Sequence, residues 1–395
     1  YDINLLKKTD KMKQTPYYFY DLDLLDDTLN CLKTNIKATK FHVHYAIKAN
    51  HNKEILKHIS KAGLGADCVS GGEIKYALDA GFSSDEIVFA GVGKTDAEIR
   101  FALENNIGMI HCESLQEIEV INEIAKETGS VATIALRLNP NVNPLTHEKI
   151  STGLKENKFG LTALEFNELL KVHQELKQIN IVGLHFHIGS QISDMSVFVE
   201  LCDRINELVP AFEQSIGELT YLNVGGGLGV DYYEPELNPI PDFKSYFEAF
   251  KTCLTISEEI PVHFELGRSV VAQCGSLRTQ VLYIKKSETK NFAVLDAGMT
   301  ELLRPALYNA YHKIQKLEAV TSEPSLHYDI VGPICESSDC FGKDIHLPEL
   351  KRGDIITISS CGAYAESMSL NYNGREKVQS IAHSSKELIS DSTLV

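Results

Sequence analysis

The sequence has no CxxC pair, no apolar run approaching roughly 18 residues and no excess of basic residues. Each absence excludes something. The nine cysteines (Cys31, Cys68, Cys112, Cys202, Cys253, Cys274, Cys335, Cys340 and Cys361) are odd in number and scattered. That fits neither a disulfide framework nor a zinc site; it suits a reducing compartment, so a cytoplasmic location and no metal are expected. Without a long apolar run, no membrane span is expected. The first ten residues, YDINLLKKTD, contain no apolar h-region, so no signal peptide is expected either. The formal net charge is −16, with 38 Lys+Arg against 54 Asp+Glu. Such a field argues against nucleic acid or an anionic membrane as the main partner. A small anion in a local basic pocket stays compatible with it.

What is present is a rhythm. The 395 residues suffice for two domains or for a barrel with an appendage. TPYYFYDLD is a short aromatic strand candidate, and Leu24 to Lys37 has helical spacing. Short apolar strands are then expected at 41–47, 64–69, 86–90, 108–112, 131–138, 181–188, 220–224 and 262–266. Helical segments alternate with them near 51–62, 72–80, 95–105, 114–128, 161–178, 195–215 and 242–259. Four of these open on capping-box patterns: Ser70 with Glu73, Thr95 with Glu98, Ser114 with Glu117 and Thr162 with Glu165. Strands covered on both faces read as short apolar runs, and eight of them alternating with helices form the signature of a (β/α)8 TIM barrel. A doubly wound open sheet has the same periodicity and remains the alternative. Past residue 270 helical spacing is scarce and RTQVLYIKKS, KNFAVLDAG, HYDIVGP and GDIITISSCGAY read as strands. The expected division is therefore a barrel over 20–265 and a mainly β domain from 1–19 and 266–395. The tail after Arg375 is polar and Ser-rich, with a terminal strand or short helix at most.

In a barrel the carboxyl ends of the strands carry function. Here they present Lys48, Asp67, Gly91, His111, Arg137, His187, the run Gly225-Gly226-Gly227 and the pair Glu265 and Arg268. Lys48 closes the alternating stretch FHVHYAIKAN. A lysine there either snorkels to solvent or forms a Schiff base with a carbonyl compound. GGGLG after the seventh strand is either a tight turn or a backbone cradle for phosphate. In HFHIGSQ, His185 and His187 share one side of a strand. They form either a metal pair, for which no carboxylate lies nearby in sequence, or one ring stacked on an aromatic cofactor, with Ser190 donating to phosphate. In ELGR, Glu265 and Arg268 either pair with each other or hold a ring nitrogen and an anion.

The chain resembles the fold-type-III, pyridoxal-phosphate-dependent decarboxylases, the alanine-racemase-like barrel group. The matching stretches run in order from about residue 15 to 375. They are PYYFYDLDLL, FHVHYAIKAN, ADCVSGGEI, STGLKENKFG, HFHIGSQ, NVGGGLGVDY, ELGRSVVA, LDAGMTELLRPALYNAYHKI, VGPICESSDCFGKD and CGAYAESMSLNYNGR. The resemblance implies that Lys48 carries pyridoxal 5'-phosphate and that His187 stacks on its ring. Glu265 would keep the ring nitrogen protonated. Ser190, Gly226, Gly227, Gly267, Arg268 and Tyr364 would surround the cofactor, with Asp67 and Arg137 beside it. Arg268, Arg304, Tyr308 and Tyr364 would bind the substrate, and Cys335 and Glu336 would reach the active site of a partner subunit in a homodimer with composite sites. Cys335 is the candidate acid.

The implied reaction is decarboxylation of meso-2,6-diaminopimelate to L-lysine and CO2. One end of that substrate reacts while the other must be recognised. A carboxylate suits the bidentate geometry of Arg268 and Arg304, and Glu336 can accept from the neighbouring ammonium. Relatives acting on polyamine precursors have Asp after the cysteine, so Glu336 and Arg304 argue against ornithine and lysine as substrates. CESSD argues against the racemases of the group, which use a tyrosine base there, and the presence of Lys48 and Cys335 argues against a non-catalytic homologue. Leu266 stands where the family usually has proline, and the segment after Arg375 departs from the family pattern.

Overall fold

The computed structural model describes residues 14–139, 158–318 and 324–385. Along the chain come β1 (Tyr17–Asp21) and α1 (Leu22–Ile36), then β2 (Phe41–Ala46), α2 (Lys53–Lys61), β3 (Gly65–Cys68), α3 (Gly71–Asp79), β4 (Ile87–Phe89), α4 (Asp96–Glu104), β5 (Met109–Cys112), α5 (Leu115–Thr128) and β6 (Ala132–Arg137). They are followed by α6 (Ala163–Val172), β7 (Ile179–His185), α7 (Ser196–Ser215), β8 (Tyr221–Asn223), α8 (Phe243–Cys253) and β9 (Val262–Leu266). Strands β2 to β9 pair in parallel and in sequence order, and β9 returns to β2 with Glu265 opposite His44. That pairing closes the barrel and removes the open-sheet alternative.

The barrel forms because each helix buries one stripe against the strands. In α7 the buried residues Phe198, Leu201, Cys202, Ile205, Leu208, Val209 and Phe212 recur at three- and four-residue spacing. Phe247 and Phe250 of α8 meet Phe264 of β9 edge-on, each with ring centroids 5.0 Å apart. Inside the barrel Val88, Met109, Ala135 and Tyr221, from four strands, form one buried cluster. Two of the four expected capping boxes are complete, at Thr95 with Glu98 and at Thr162 with Glu165. At Ser70 and Ser114 the serine caps the helix, but the glutamate accepts from the backbone one residue earlier, Val69 or Glu113. α8 ends at Cys253 rather than near 259, because Leu254 is already extended.

The second unit comprises residues 1–26, 230–239 and 271–395, and the barrel unit 27–229 and 240–270. The expected boundaries did not anticipate the excursion at 230–239, which follows the glycine run and carries Pro235 and Pro239. The second unit is built on β10 (Gly275–Lys286), β11 (Asn291–Leu295), α10 (Arg304–Tyr308, after the one-turn α9, Arg268–Val271, in which the barrel unit ends), β12 (Ile314–Lys316), β13 (Ser325–Val331), β14 (Cys340–Pro348), β15 (Ile355–Ile358) and β16 (Gln379–His383). Its sheet runs β12-β15-β10-β11-β13-β14, with β1 beside β10 and β16 parallel to β1. The terminal strand expected in the tail is thus β16; residues 386–395 lie outside the described residues, as does most of STGLKENKFG. β12 and β14 were not anticipated, since their sequences IQK and CFGKDIHLP mix polar residues and glycine into a short strand. Among the described residues, no helix is long and apolar enough to cross a membrane.

Candidate active site

Lys48 sits on a single 3-10 turn, Ile47–Ala49, that continues β2. Ile47 and Ala49 are buried, which turns the lysine side chain the other way, towards the barrel mouth. Its Nζ lies 2.7 Å from Oδ2 of Asp67 on β3. Burial pushes the Asp67 carboxyl up, and the Lys48 ammonium pulls against that. Asp67 Oδ1 has no hydrogen-bond partner. A cavity of about 700 Å³ opens over Lys48 and is lined also by Arg137, Phe159, His187, Ser190 and Glu265. This volume is in the range of small-molecule sites.

Glu265 on β9 is buried and closely surrounded. Asn223 Nδ2 donates to its Oε1 at 3.0 Å. His111 Nδ1 and His185 Nε2 both lie 3.2 Å from the same oxygen, although neither ring N–H is aligned for a full hydrogen bond. Burial would raise the Glu265 carboxyl, but His185 and His111 outweigh it and hold the group well below its usual range. The two rings stack on each other, with centroids 4.1 Å apart. The carboxylate that HFHIGSQ lacks nearby in sequence is therefore Glu265, brought in by barrel closure. The three ligand-type atoms of His111, His185 and Glu265 lie within 4.8 Å of one another. Their arrangement is that of a carboxylate buttressed by imidazoles, because the shared oxygen already accepts from Asn223.

His187, two residues past β7, borders the same cavity, and burial drives its imidazole down to about 4, so the ring is neutral near pH 7. Its Nδ1 accepts from the Gly226 N–H at 3.4 Å. Gly226 passes so close to the Glu265 carbonyl that a Cβ would collide with it, and Gly227, with φ +115°, is in a conformation suited to glycine. Arg268 donates to Ser190 Oγ, at 3.1 Å from one guanidinium nitrogen. The barrel unit thus brings together Lys48, Asp67, His187, Ser190, Gly226, Gly227, Glu265, Gly267 and Arg268. Arg137 joins them, held by Glu113 at 2.5 Å and lying over the Phe159 ring at 4.6 Å.

The remaining expected residues belong to the second unit. Arg304 opens α10 and is buried, its guanidinium against His312 Nε2 at 2.6 Å and over the Tyr232 ring at 4.6 Å. Tyr308, at the end of α10, is exposed. Cys335 is exposed; its N–H donates to Asn373 Oδ1 at 3.0 Å, and Glu336 accepts from the Tyr372 hydroxyl at 2.8 Å. Cys335 and Glu336 are therefore fastened to the NYNG turn, whereas Arg304 is fastened to His312 and Tyr232. Tyr364 holds a left-handed backbone, φ +58°.

Sequence reasoning missed Asn223, Glu113 and Lys94. Asn223 stands two residues before the glycine run, so its place beside a phosphate-suited backbone was a usable signal. The Lys94 side chain is fully buried, with Nζ donating to Gly91 O, His111 O and Glu117 Oε1 at 2.8, 2.7 and 2.6 Å. Gly91 is local, but nothing in the neighbouring sequence marks a lysine as buried when its other two acceptors, His111 O and Glu117 Oε1, come from a later strand and helix.

Comparison with known proteins gives this geometry a lineage. Residues 24–272 match the family described as pyridoxal-dependent decarboxylase, pyridoxal binding domain. The chain belongs to the pyridoxal-dependent decarboxylases. It is 51% identical to the diaminopimelate decarboxylase of Bacteroides thetaiotaomicron over 92% of this chain and 94% of that protein. It superposes with TM-score 0.86 on the crystal structure of diaminopimelate decarboxylase from Helicobacter pylori complexed with L-lysine, at 40% identity, covering 96% of this chain and 94% of that one. The enzyme from M. jannaschii in complex with L-lysine gives the same TM-score, 0.86, at 38% identity, over 97% and 89% of the two chains. Membership in this family makes pyridoxal phosphate the cofactor and a TIM barrel with a mainly β second domain the family architecture.

Proposed function

We propose that this protein decarboxylates meso-2,6-diaminopimelate to L-lysine and CO2, the last step of lysine biosynthesis, with pyridoxal 5'-phosphate as cofactor. The observation that carries this reading is Lys48 at the end of the first barrel strand, opening into a cavity with Glu265 and His187, in a chain 51% identical to a curated diaminopimelate decarboxylase. The residues suit the cofactor. The cavity offers an amine, a buried carboxylate and a neutral flat imidazole, and Asp67 Oδ1 and His185 Nδ1 are buried without partners. When bound, pyridoxal phosphate supplies a conjugated ring that takes up the electron pair left behind by CO2.

The chain's own residues have the following parts. Lys48 holds the cofactor and releases the product, with Asp67 steering its Nζ at 2.7 Å. Glu265, kept ionised by its imidazole neighbours, favours a proton on the ring nitrogen. His187 presents a neutral face to the ring. The Gly227 amide, with Ser190 and Tyr364, would hold the phosphate, Gly226 would line the cofactor site while its N–H orients His187, and Gly267 keeps the backbone between Glu265 and Arg268 narrow. Arg268, Arg304 and Tyr308 bind the distal carboxylate, Glu336 the ammonium beside it, and Cys335 holds the proton returned to the reacting carbon. Buried Arg304, its guanidinium fixed by His312 and Tyr232, loses little freedom on binding. Cys335 and Glu336 serve the site of a second copy, so the working unit is a homodimer. Nine free thiols suit a reducing, cytoplasmic setting.

The test is CO2 release from meso-diaminopimelate, L-lysine and L-ornithine by the purified protein with pyridoxal phosphate. Diaminopimelate alone should turn over, and borohydride should fix the cofactor to Lys48. Preference for ornithine, or full turnover by Lys48→Ala, would overturn the assignment.

A further inference from the structure

Three buried residues outside the lining of the cavity lead to Glu265. Asn223 Oδ1 accepts from the Gly225 N–H at 2.8 Å. A backbone amide only donates, so the Asn223 amide is oriented, and its two N–H bonds must face the other way. Two acceptors stand there: Glu265 Oε1 at 3.0 Å and the Tyr221 hydroxyl oxygen at 3.1 Å. The Tyr221 oxygen is thus an acceptor, and its single proton is directed to the remaining neighbour, His111 Nε2, at 3.0 Å. That nitrogen must then carry a lone pair. A proton there would leave the buried hydroxyl with nothing to donate to among the described residues, a costly arrangement. The imidazole proton consequently sits on Nδ1, the nitrogen 3.2 Å from Glu265 Oε1.

We propose that Asn223, Tyr221 and His111 form a directional hydrogen-bond relay, set by the backbone amide of Gly225, that locks His111 in the tautomer whose Nδ1–H faces the Glu265 carboxylate. Tyr221 and Asn223 are positioning residues. The relay ties the first glycine of the phosphate-suited run to the charge that faces the cofactor ring, so the two ends of the cofactor site are ordered by one network. The inference rests on Glu265 being the partner of the ring nitrogen, and it concerns residues that the reaction itself does not touch.

Tyr221→Phe keeps the ring, and its stacking on His263 at 4.3 Å, while deleting the hydroxyl. It frees His111 to turn its lone pair towards the carboxylate. The apoprotein should then bind pyridoxal phosphate about ten-fold more weakly, and kcat should fall about ten-fold, with KM for diaminopimelate within about two-fold of the wild type. Wild-type affinity and kcat in this variant would overturn the relay. If Tyr221→Phe fails to fold, two substitutions at His111 decide. His111→Asn places an amide donor near Nδ1, and His111→Gln places one near Nε2, so the asparagine variant should bind the cofactor more tightly; equal or reversed order refutes the tautomer. A direct reading comes from 15N-histidine NMR of the apoprotein. One ring protonated at Nδ1 should vanish in His111→Asn and change tautomer in Tyr221→Phe, and loss of an Nε2-protonated ring instead refutes the relay. This last measurement needs no turnover. Failure of the wild type to bind pyridoxal phosphate would count against the functional assignment alone.

Discussion

Gly267→Ala is a small change with a calculable consequence. A methyl group at this position would lie 2.9 Å from the Ala49 Cβ and 3.0 Å from the Ala46 Cβ. Carbon atoms pack at about 3.5–4.0 Å, so both separations must open by roughly 0.5–1 Å. Neither neighbour can rotate away, because each Cβ is fixed to backbone. The strain therefore moves either the 3-10 turn holding Lys48 or the segment between Glu265 and Arg268. Overpacking of this kind costs about 1–3 kcal/mol of stability. Misplacing a reactive group by about 1 Å costs on the order of 100-fold in rate, so a 10- to 100-fold loss in kcat is expected. Urea unfolding of the apoprotein reads the first quantity, and pyridoxal phosphate affinity and CO2 release from diaminopimelate read the second. Gly72→Ala is the control: it lies in the first turn of α3, where a new Cβ meets nothing nearer than Ser70 Oγ at 3.7 Å, and should be neutral or stabilising by about 0.5–1 kcal/mol. Adding Ala49→Gly to Gly267→Ala removes the shorter contact and should restore part of both losses, a coupling that a double-mutant cycle measures. If Gly267→Ala loses stability but keeps wild-type affinity and kcat, the claim that this glycine holds Lys48 and Glu265 in register is wrong.

Two further outcomes follow from burial. His187 is driven from 6.5 to about 4, so the native protein binds fewer protons there than the unfolded chain at intermediate pH. Its contribution is fully present above pH 6.5 and is lost as pH falls towards 4. The difference in unfolding free energy between wild type and His187→Gln apoprotein should therefore shrink by up to about 3 kcal/mol from pH 7 to pH 4. A difference that grows over that range contradicts the assignment; taking the difference cancels Glu73, which burial pushes up to about 7 and which acts in the opposite sense. Among nine thiols Cys335 is the exposed one, so a single cysteine should react quickly with a maleimide in the native protein, identified as Cys335 by peptide mapping. Under the homodimer proposal, a diaminopimelate analogue should slow that reaction, and rapid labelling of several cysteines would contradict the fold.

The strands were legible because burial on both faces leaves short apolar runs between capped helices. All eight barrel strands fall within the expected segments, extended by two residues at the start of β7. Closure was not legible from any strand alone, since only the β9 to β2 pairing distinguishes a barrel from an open sheet. In the second unit, β10 and β11 were visible as alternating runs, while β14 was hidden. Its Gly342, Lys343 and Asp344 interrupt the alternation where the β13–β14 register shifts. The residues at the barrel mouth were legible by position, because a polar side chain at the carboxyl end of a strand otherwise covered on both faces needs a reason. The partners that tune them were not, as the pairing of Glu265 with His185 or of Lys94 with Glu117 joins elements far apart in sequence.

The alternation of FHVHYA nevertheless contained a clue of a different kind. Phe41, Val43 and Tyr45 share one face, and His42, His44 and Ala46 the other. A barrel has two faces to cover, and the inner one is shared by every strand. Polar residues directed inward from one strand must find partners inward from others, because buried polar groups are paired. His44 Nε2 meets His263 Nδ1 at 2.8 Å, the His42 ring stacks on His263 at 5.0 Å, and Tyr221 stacks on the same ring at 4.3 Å before reaching His111. The histidines of β2, β5 and β9 and the tyrosine of β8 therefore form one column, from the amino-terminal end of β2 up to Glu265. An apolar filling would suffice to stabilise a barrel of this size, and burial holds His44 near 4 and His263 near 2, uncharged at neutral pH. Neutral His44 and His263 contribute oriented N–H groups without net charge. That is what a buried carboxylate such as Glu265 needs in order to stay ionised, and it gives a chemical reason for histidine, rather than valine, on the inner face of the first strand.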